Sequence, residues 1–89
     1  MRLDKYLKVS RLIKRRTVAN EVTSQGRIFL NDKAAKPSST VKEGDTLRIE
    51  YYNKTVIVEI IKVPAGNVSA QEAKDLYKTS EEIHKNTLD

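Results

Sequence analysis

The chain has 89 residues, 38% of them hydrophobic, with 17 basic and 12 acidic side chains and a net charge of +5, enough for one small domain with an appended element and too little for a deep catalytic pocket. The absence of cysteine removes disulfides, thiolate zinc sites and thiol nucleophiles together. No apolar run approaches the roughly 18 residues of a membrane span, and basic residues interrupt the N-terminal apolar ones where a signal peptide needs an unbroken stretch, so the expectation is a soluble cytoplasmic protein.

Residues 1–16 carry Arg2, Lys5, Lys8, Arg11, Lys14, Arg15 and Arg16 against the single acid Asp4, a net of +6 in a chain whose total is +5. The charge is therefore focused at one end, which implies an anionic partner more strongly than a high pI alone. On a helical wheel Leu3, Tyr6 and Leu7 fall on one side, and Arg2, Lys5 and Lys8 fall on an arc of about 120° on the other. A merely solvated face has no reason to continue through Arg11 to Arg16 without compensating acids, so phosphate binding is the preferred reading.

A second helix is expected over residues 16–24, with Val18, Ala19 and Val22 as its inner stripe. Gly26 closes it, being able to take the left-handed conformation that ends a helix. Arg27 then opens a short strand in which Ile28 and Leu30 alternate with Arg27 and Phe29. Asn31 and Asp32, both tolerant of positive φ, make the next turn. Residues 33–35 form a brief strand, and a polar connector with Val41 as its inward anchor follows. Two better strands are expected at 46–52, with Leu47, Ile49 and Tyr51 on one face, and at 55–62, with Val56, Val58 and Ile60 on one face. Asn53 and Lys54 would form a two-residue hairpin turn between them. Ile57 and Ile61 face the other side of the last strand, which makes the tail the candidate to cover it.

The tail starts after the breaker at residues 63–66. Ser69, Ala70, Gln71 and Glu72 read as a capping box, and a helix to about Lys85 is expected, with Ala73, Leu76, Tyr77 and Ile83 as a sparse apolar stripe. The division expected is a folded unit at 1–62 and a linker with an amphipathic helix at 63–89.

The search for catalytic chemistry is mostly negative. The lone histidine, His84, sits near the end of the tail, without the convergent ligands a metal site needs. Gly26, Gly44 and Gly66 are too far apart for a phosphate-cradling loop, and Glu81 and Glu82 are adjacent on the expected helix and point in different directions. Neither an enzyme nor a resident cofactor is indicated. A DNA-binding helix-turn-helix protein would expose a polar recognition helix, whereas residues 17–24 hold one acid and no base. A structural ribosomal protein would usually carry a longer basic extension.

Arg2-Leu3-Asp4 with Leu7, then Arg11, Lys14-Arg15-Arg16, Gly26-Arg27-Ile28-Phe29-Leu30-Asn31 and Val41-x-x-Gly44-Asp45 occur in the order found in the S4 RNA-binding domain, which the chain resembles over residues 1–62. It departs from the family's usual pattern in having Arg15 where a Ser or Thr often precedes the second helix, and Asp32 where a Gly often follows Asn31. The resemblance implies an α+β fold, a helix-helix-strand core of S4 type (the αL motif) with a small, mostly antiparallel sheet, here with an added C-terminal helix. It also implies an RNA-binding face made of Arg2, Asp4, Lys5, Lys8, Arg11, Lys14, Arg15, Arg16 and Arg27. Asp4 either stabilises the first helix or orients a neighbouring arginine, and the family motif favours the second.

The first seventeen residues together with Glu72-Ala73-x-x-Leu76-Tyr77 resemble, more narrowly, the stand-alone S4 proteins of bacterial ribosome-associated quality control. A monomer with no membrane partner is expected. Its partners would be the RNA of obstructed large ribosomal subunits, peptidyl-tRNA, and the tailing factor RqcH, which extends stalled chains with C-terminal alanines. The related heat-shock S4 proteins, which bind large subunits bearing peptidyl-tRNA, are the alternative.

Overall fold

The computed structural model describes residues 1–84. Helix α1 spans Leu3–Val9 and helix α2 spans Arg16–Ser24. Strands β1 (Ile28–Leu30), β2 (Lys33–Ala34), β3 (Thr46–Glu50) and β4 (Lys54–Ile60) follow, then a one-turn helix α3 (Ala70–Ala73) and strand β5 (Tyr77–His84). The sheet runs β2-β1-β3-β4-β5 and every neighbouring pair is antiparallel.

The expected alternation builds the core. Leu47 pairs with Val58 and Ile49 with Val56 across β3 and β4, and these residues, with Ile28 and Ile60, bury one face of the sheet against Leu3, Tyr6 and Leu7 of α1. The first turn of α1 has no side-chain cap. Its free N–H groups are met instead by the connector, Leu3 donating to the Ser39 carbonyl at 2.7 Å and Asp4 to the Pro37 carbonyl at 3.1 Å. The polar connector thus anchors the end of the helix that carries the charge.

Helix α2 closes as expected at Gly26, whose φ is 78°. The Gly26 N–H donates to the Thr23 carbonyl and the Arg27 N–H to the Val22 carbonyl, the two bonds of a Schellman closure. The Asn31-Asp32 turn takes positive φ at both residues, 52° and 67°, and joins paired Leu30 and Lys33, which is the type I′ hairpin that matches strand twist. Asn31 also receives the Thr46 N–H on Oδ1 and donates from Nδ2 to Asp45, so the strand motif and the Gly44-Asp45 turn lock each other.

Four expectations are corrected. The α2 stripe is rotated: Ala19 and Thr23 are buried while Val18 is 39% exposed, because α1 sits over the Ala19 side and the Thr23 hydroxyl satisfies itself by donating to the Ala19 carbonyl at 2.6 Å. The Asn53-Lys54 turn is replaced by a link through residues 51–53, since Lys54 already lies in β4, opposite His84.

The long C-terminal helix is cut to Ala70–Ala73. Its start was legible, with the Glu72 N–H donating to Ser69 Oγ at 3.2 Å, but from Tyr77 the chain is strand β5. The open edge of β4 offers a row of backbone groups to Tyr77–His84, and pairing there outweighs a weak helical stripe. The expected helix end at Lys85 lies outside the described residues. Among the described residues the tail therefore extends the sheet beside β4, with a bulge at Ile57/Val58, and does not cover its outer face.

Candidate nucleic-acid interface

Asp4 is the centre of the basic end. It is 2% exposed, and a carboxylate so buried without partners would cost several kcal/mol. Five donor atoms from four residues reach it. Arg2 Nε reaches Oδ1 at 3.2 Å and Arg2 Nη2 reaches Oδ2 at 3.3 Å. The Lys5 backbone N–H donates to Oδ1 at 2.8 Å. From α2, Arg16 Nη2 lies 3.4 Å from Oδ1 and Asn20 Nδ2 lies 3.5 Å from Oδ2. Burial alone would raise the carboxyl pKa, but the hydrogen bonds from Arg2, Asn20 and Arg16 outweigh it and hold the group below its ordinary 3.8.

The consequence is geometric. Arg2 flanks the start of α1 and Arg16 opens α2, so one buried acid ties two guanidinium groups from two helices while each side chain stays about half exposed. Their unused donors are free to meet phosphate in a fixed orientation. Asn20 is a member of this cluster that the charge pattern could not show, although it follows Arg16 by one helical turn.

A second group forms around the end of α1. Lys8, Arg11 and Lys14 line a depression of about 330 Å³ shared with Asn67 and Val68 of the tail. Arg11 has a φ of 63°, the left-handed conformation that helix closure demands and that an arginine adopts only at a cost. Lys14 also borders a separate depression with Arg27, just before β1. Lys5 is half-buried and Arg15 is exposed at the start of α2, where it provides no side-chain cap. Among the described residues, Lys5, Lys8, Arg11, Lys14, Arg15 and Arg27 make no ion pair, so the patch is neutralised only at Asp4. The structure thus gathers the nine residues into an Asp4 cluster, a Lys8-Arg11-Lys14 cluster, and the flanking Lys5, Arg15 and Arg27.

Among the described residues no group of His, Cys, Asp and Glu could hold a metal ion, and no helix is long and apolar enough to cross a membrane. His84 is exposed beside Glu82, at 2.7 Å, on the edge strand and far from the patch in sequence.

A family profile described as the S4 domain matches residues 1–47. A protein of Halalkalibacterium halodurans named RQC P-site tRNA stabilizing factor is 55% identical over 82 residues, 92% of each chain. The protein of the same name from Bacillus subtilis is 51% identical over 77 residues, 86% of this chain and 88% of its own. The solved trimeric structure of Vibrio cholerae heat shock protein 15 superposes with a TM-score of 0.81 at 30% identity, over 90% of this chain and 81% of that one.

Proposed function

The chain belongs to the S4 domain family and to its branch of ribosome quality-control factors, and from that premise we propose that it stabilises P-site tRNA on large ribosomal subunits obstructed by a stalled nascent chain. The observation that carries this reading is the Asp4 cluster, in which the single acid of residues 1–16 ties Arg2 and Arg16 together among the basic side chains. Structured RNA presents phosphates and shape, because its A-form major groove is too narrow for side chains, so a rigid cationic face suits it better than a base-reading loop. The name carried by two relatives more than half identical, RQC P-site tRNA stabilizing factor, supports P-site tRNA as the ligand.

In this reading Arg2, Lys5, Lys8, Arg11, Lys14, Arg15, Arg16 and Arg27 contact rRNA and tRNA backbone, and Asp4 orients two of them. The factor works in the cytoplasm as a monomer, and by keeping peptidyl-tRNA in place it lets RqcH add C-terminal alanines to the stalled chain. Residues 1–62 carry the RNA face, and the tail that follows, through Leu76 and strand β5 to His84, braces it. No catalytic step is assigned to the protein.

The test is a tagged pull-down from a lysate containing stalled ribosomes, combined with a stalled reporter whose C-terminal tail is read by mass spectrometry. Large subunits carrying peptidyl-tRNA, together with loss of alanine tails when the protein is depleted, support the proposal. Recovery of the same subunits with tailing unaffected by depletion would instead place the protein with the heat-shock S4 proteins, and recovery of DNA or of intact ribosomes alone would remove the RNA-site reading.

A further inference from the structure

The link between β3 and β4 carries two adjacent tyrosines with opposite surroundings. Tyr51 is pinned, its hydroxyl donating to the Leu12 carbonyl at 2.7 Å and its ring lying under Lys54 Nζ at 5.4 Å. Tyr52, the next residue, is 90% exposed. It borders a depression of about 390 Å³ lined by the apolar Leu12, Ile13, Val18 and Val22 and by Tyr51, together with the charged Lys14, Arg27 and Glu50. The exposure of Val18 belongs to the same place, since the rotation of α2 turns that side chain toward this depression.

We propose that this depression takes a single unpaired nucleotide of RNA, its base laid on the Tyr52 ring and its flanking phosphates held by Arg27 and Lys14. The proposal rests on the RNA-binding reading above and adds to it a site for a base, which the Arg2–Asp4–Arg16 cluster does not supply. An aromatic ring beside apolar side chains receives the face of any base, and neighbouring cations receive its backbone. Glu50 argues against a bare phosphate seated in the depression and provides an acceptor for the N–H groups of a base edge. The anchoring of Tyr51 fixes the backbone under Tyr52, so ordering the exposed ring on binding involves only its own two side-chain torsions. Lys14 belongs both to this depression and to the Lys8-Arg11-Lys14 cluster, so one strand can run from one to the other.

The experiment uses the full chain and two end-labelled RNA hairpins of equal length and charge, one fully paired and one with a single unpaired nucleotide, titrated by fluorescence anisotropy at one salt concentration. The wild type is expected to prefer the hairpin with the unpaired nucleotide. Tyr52→Ala should lose about tenfold or more of its affinity for that hairpin and none for the paired one, while Tyr52→Phe keeps the preference. Circular dichroism of both variants should match the wild type, since Tyr52 makes no buried contact. Equal wild-type affinity for the two hairpins, or a preference that survives Tyr52→Ala, overturns the nucleotide site and leaves the RNA reading standing. Absence of binding to either hairpin overturns both. If Tyr52→Ala spares both hairpins yet weakens association with purified large subunits, the depression docks protein and the proposal is wrong.

Discussion

The Tyr6 hydroxyl donates a 2.7 Å hydrogen bond to the carbonyl of Leu76, seventy residues later. The same carbonyl accepts the backbone N–H groups of Ile61 at 2.8 Å and Lys62 at 3.1 Å, so one atom joins the charged first helix, the end of β4 and the start of the tail strand. Tyr6→Phe keeps the buried ring and removes one donor, leaving the carbonyl satisfied by the other two. The expected cost is about 1 kcal/mol, read as a lower urea midpoint at unchanged slope, with RNA affinity unaltered. A loss several times larger would mean that this bond organises tail docking as a whole.

Asp4→Asn opposes local geometry to bulk charge. The variant is one unit more positive, which by charge alone would tighten RNA binding, yet it releases Arg2 and Arg16 from the carboxylate that orients them. Weaker binding by several-fold is expected, with a stability loss of about 2 kcal/mol near neutral pH. The folded-state pKa of Asp4 lies below its ordinary value. The unfolded chain therefore takes up the proton first as pH falls, and the stability contributed by the carboxylate is present above about pH 4 and is lost below it. Urea titrations of the two proteins should accordingly converge as the pH drops through that window. A constant gap down to pH 2 would show that the Asp4 hydrogen bonds do not require its charge.

Arg11 offers the reverse separation, of stability from binding. Its φ of 63° closes α1 in a conformation that costs a side-chain-bearing residue about 1 kcal/mol or more and costs glycine nothing sterically. Arg11→Gly should raise the melting temperature slightly, by up to about 1 kcal/mol of stability after the added flexibility of the unfolded chain is set against it. It should also weaken RNA binding and lower the salt slope by roughly one phosphate contact, about 0.7 to 0.9 in log affinity per log salt. A tighter-binding glycine variant would remove Arg11 from the interface.

What could be read in advance was whatever a few neighbouring residues decide. Gly26 ends α2, Asn31 and Asp32 turn the first hairpin, and the alternation through Leu47, Ile49, Val56 and Val58 defines the buried face, each from local sterics or a two-residue period. Strand β5 was illegible because its cause lies in the open edge of β4, more than a dozen residues away, while Ser69 and Glu72 start a helix just before it. The inward face of α2 likewise depends on where α1 rests, and nothing in the spacing of Val18 and Thr23 announces it. At the basic end, the excess of cations was plain from counting. The division of labour was not: Asn20 carries no charge, and only the family resemblance suggested that Asp4 orients an arginine.

The sharpest test of that orientation changes no charge at all. Arg16 gives one guanidinium nitrogen to Asp4, with Nη2 3.4 Å from Oδ1, and its side chain remains about half exposed, so the group is tethered while its other donors remain for a phosphate. Lysine at this position keeps the positive charge, but a single ammonium cannot hold Asp4 and meet two phosphate oxygens in a fixed plane. Lys78→Ala on the exposed edge strand removes a full charge away from the cluster. Arg16→Lys is therefore expected to weaken association with large subunits by about tenfold, and to reduce alanine tailing of a stalled reporter, while Lys78→Ala changes either by less than about twofold, the scale of one screened surface charge. Both variants should keep the wild-type circular dichroism spectrum. An equal or larger effect from Lys78→Ala would mean that net charge governs binding, and the Asp4 cluster would then be a structural ion pair without a part in recognition.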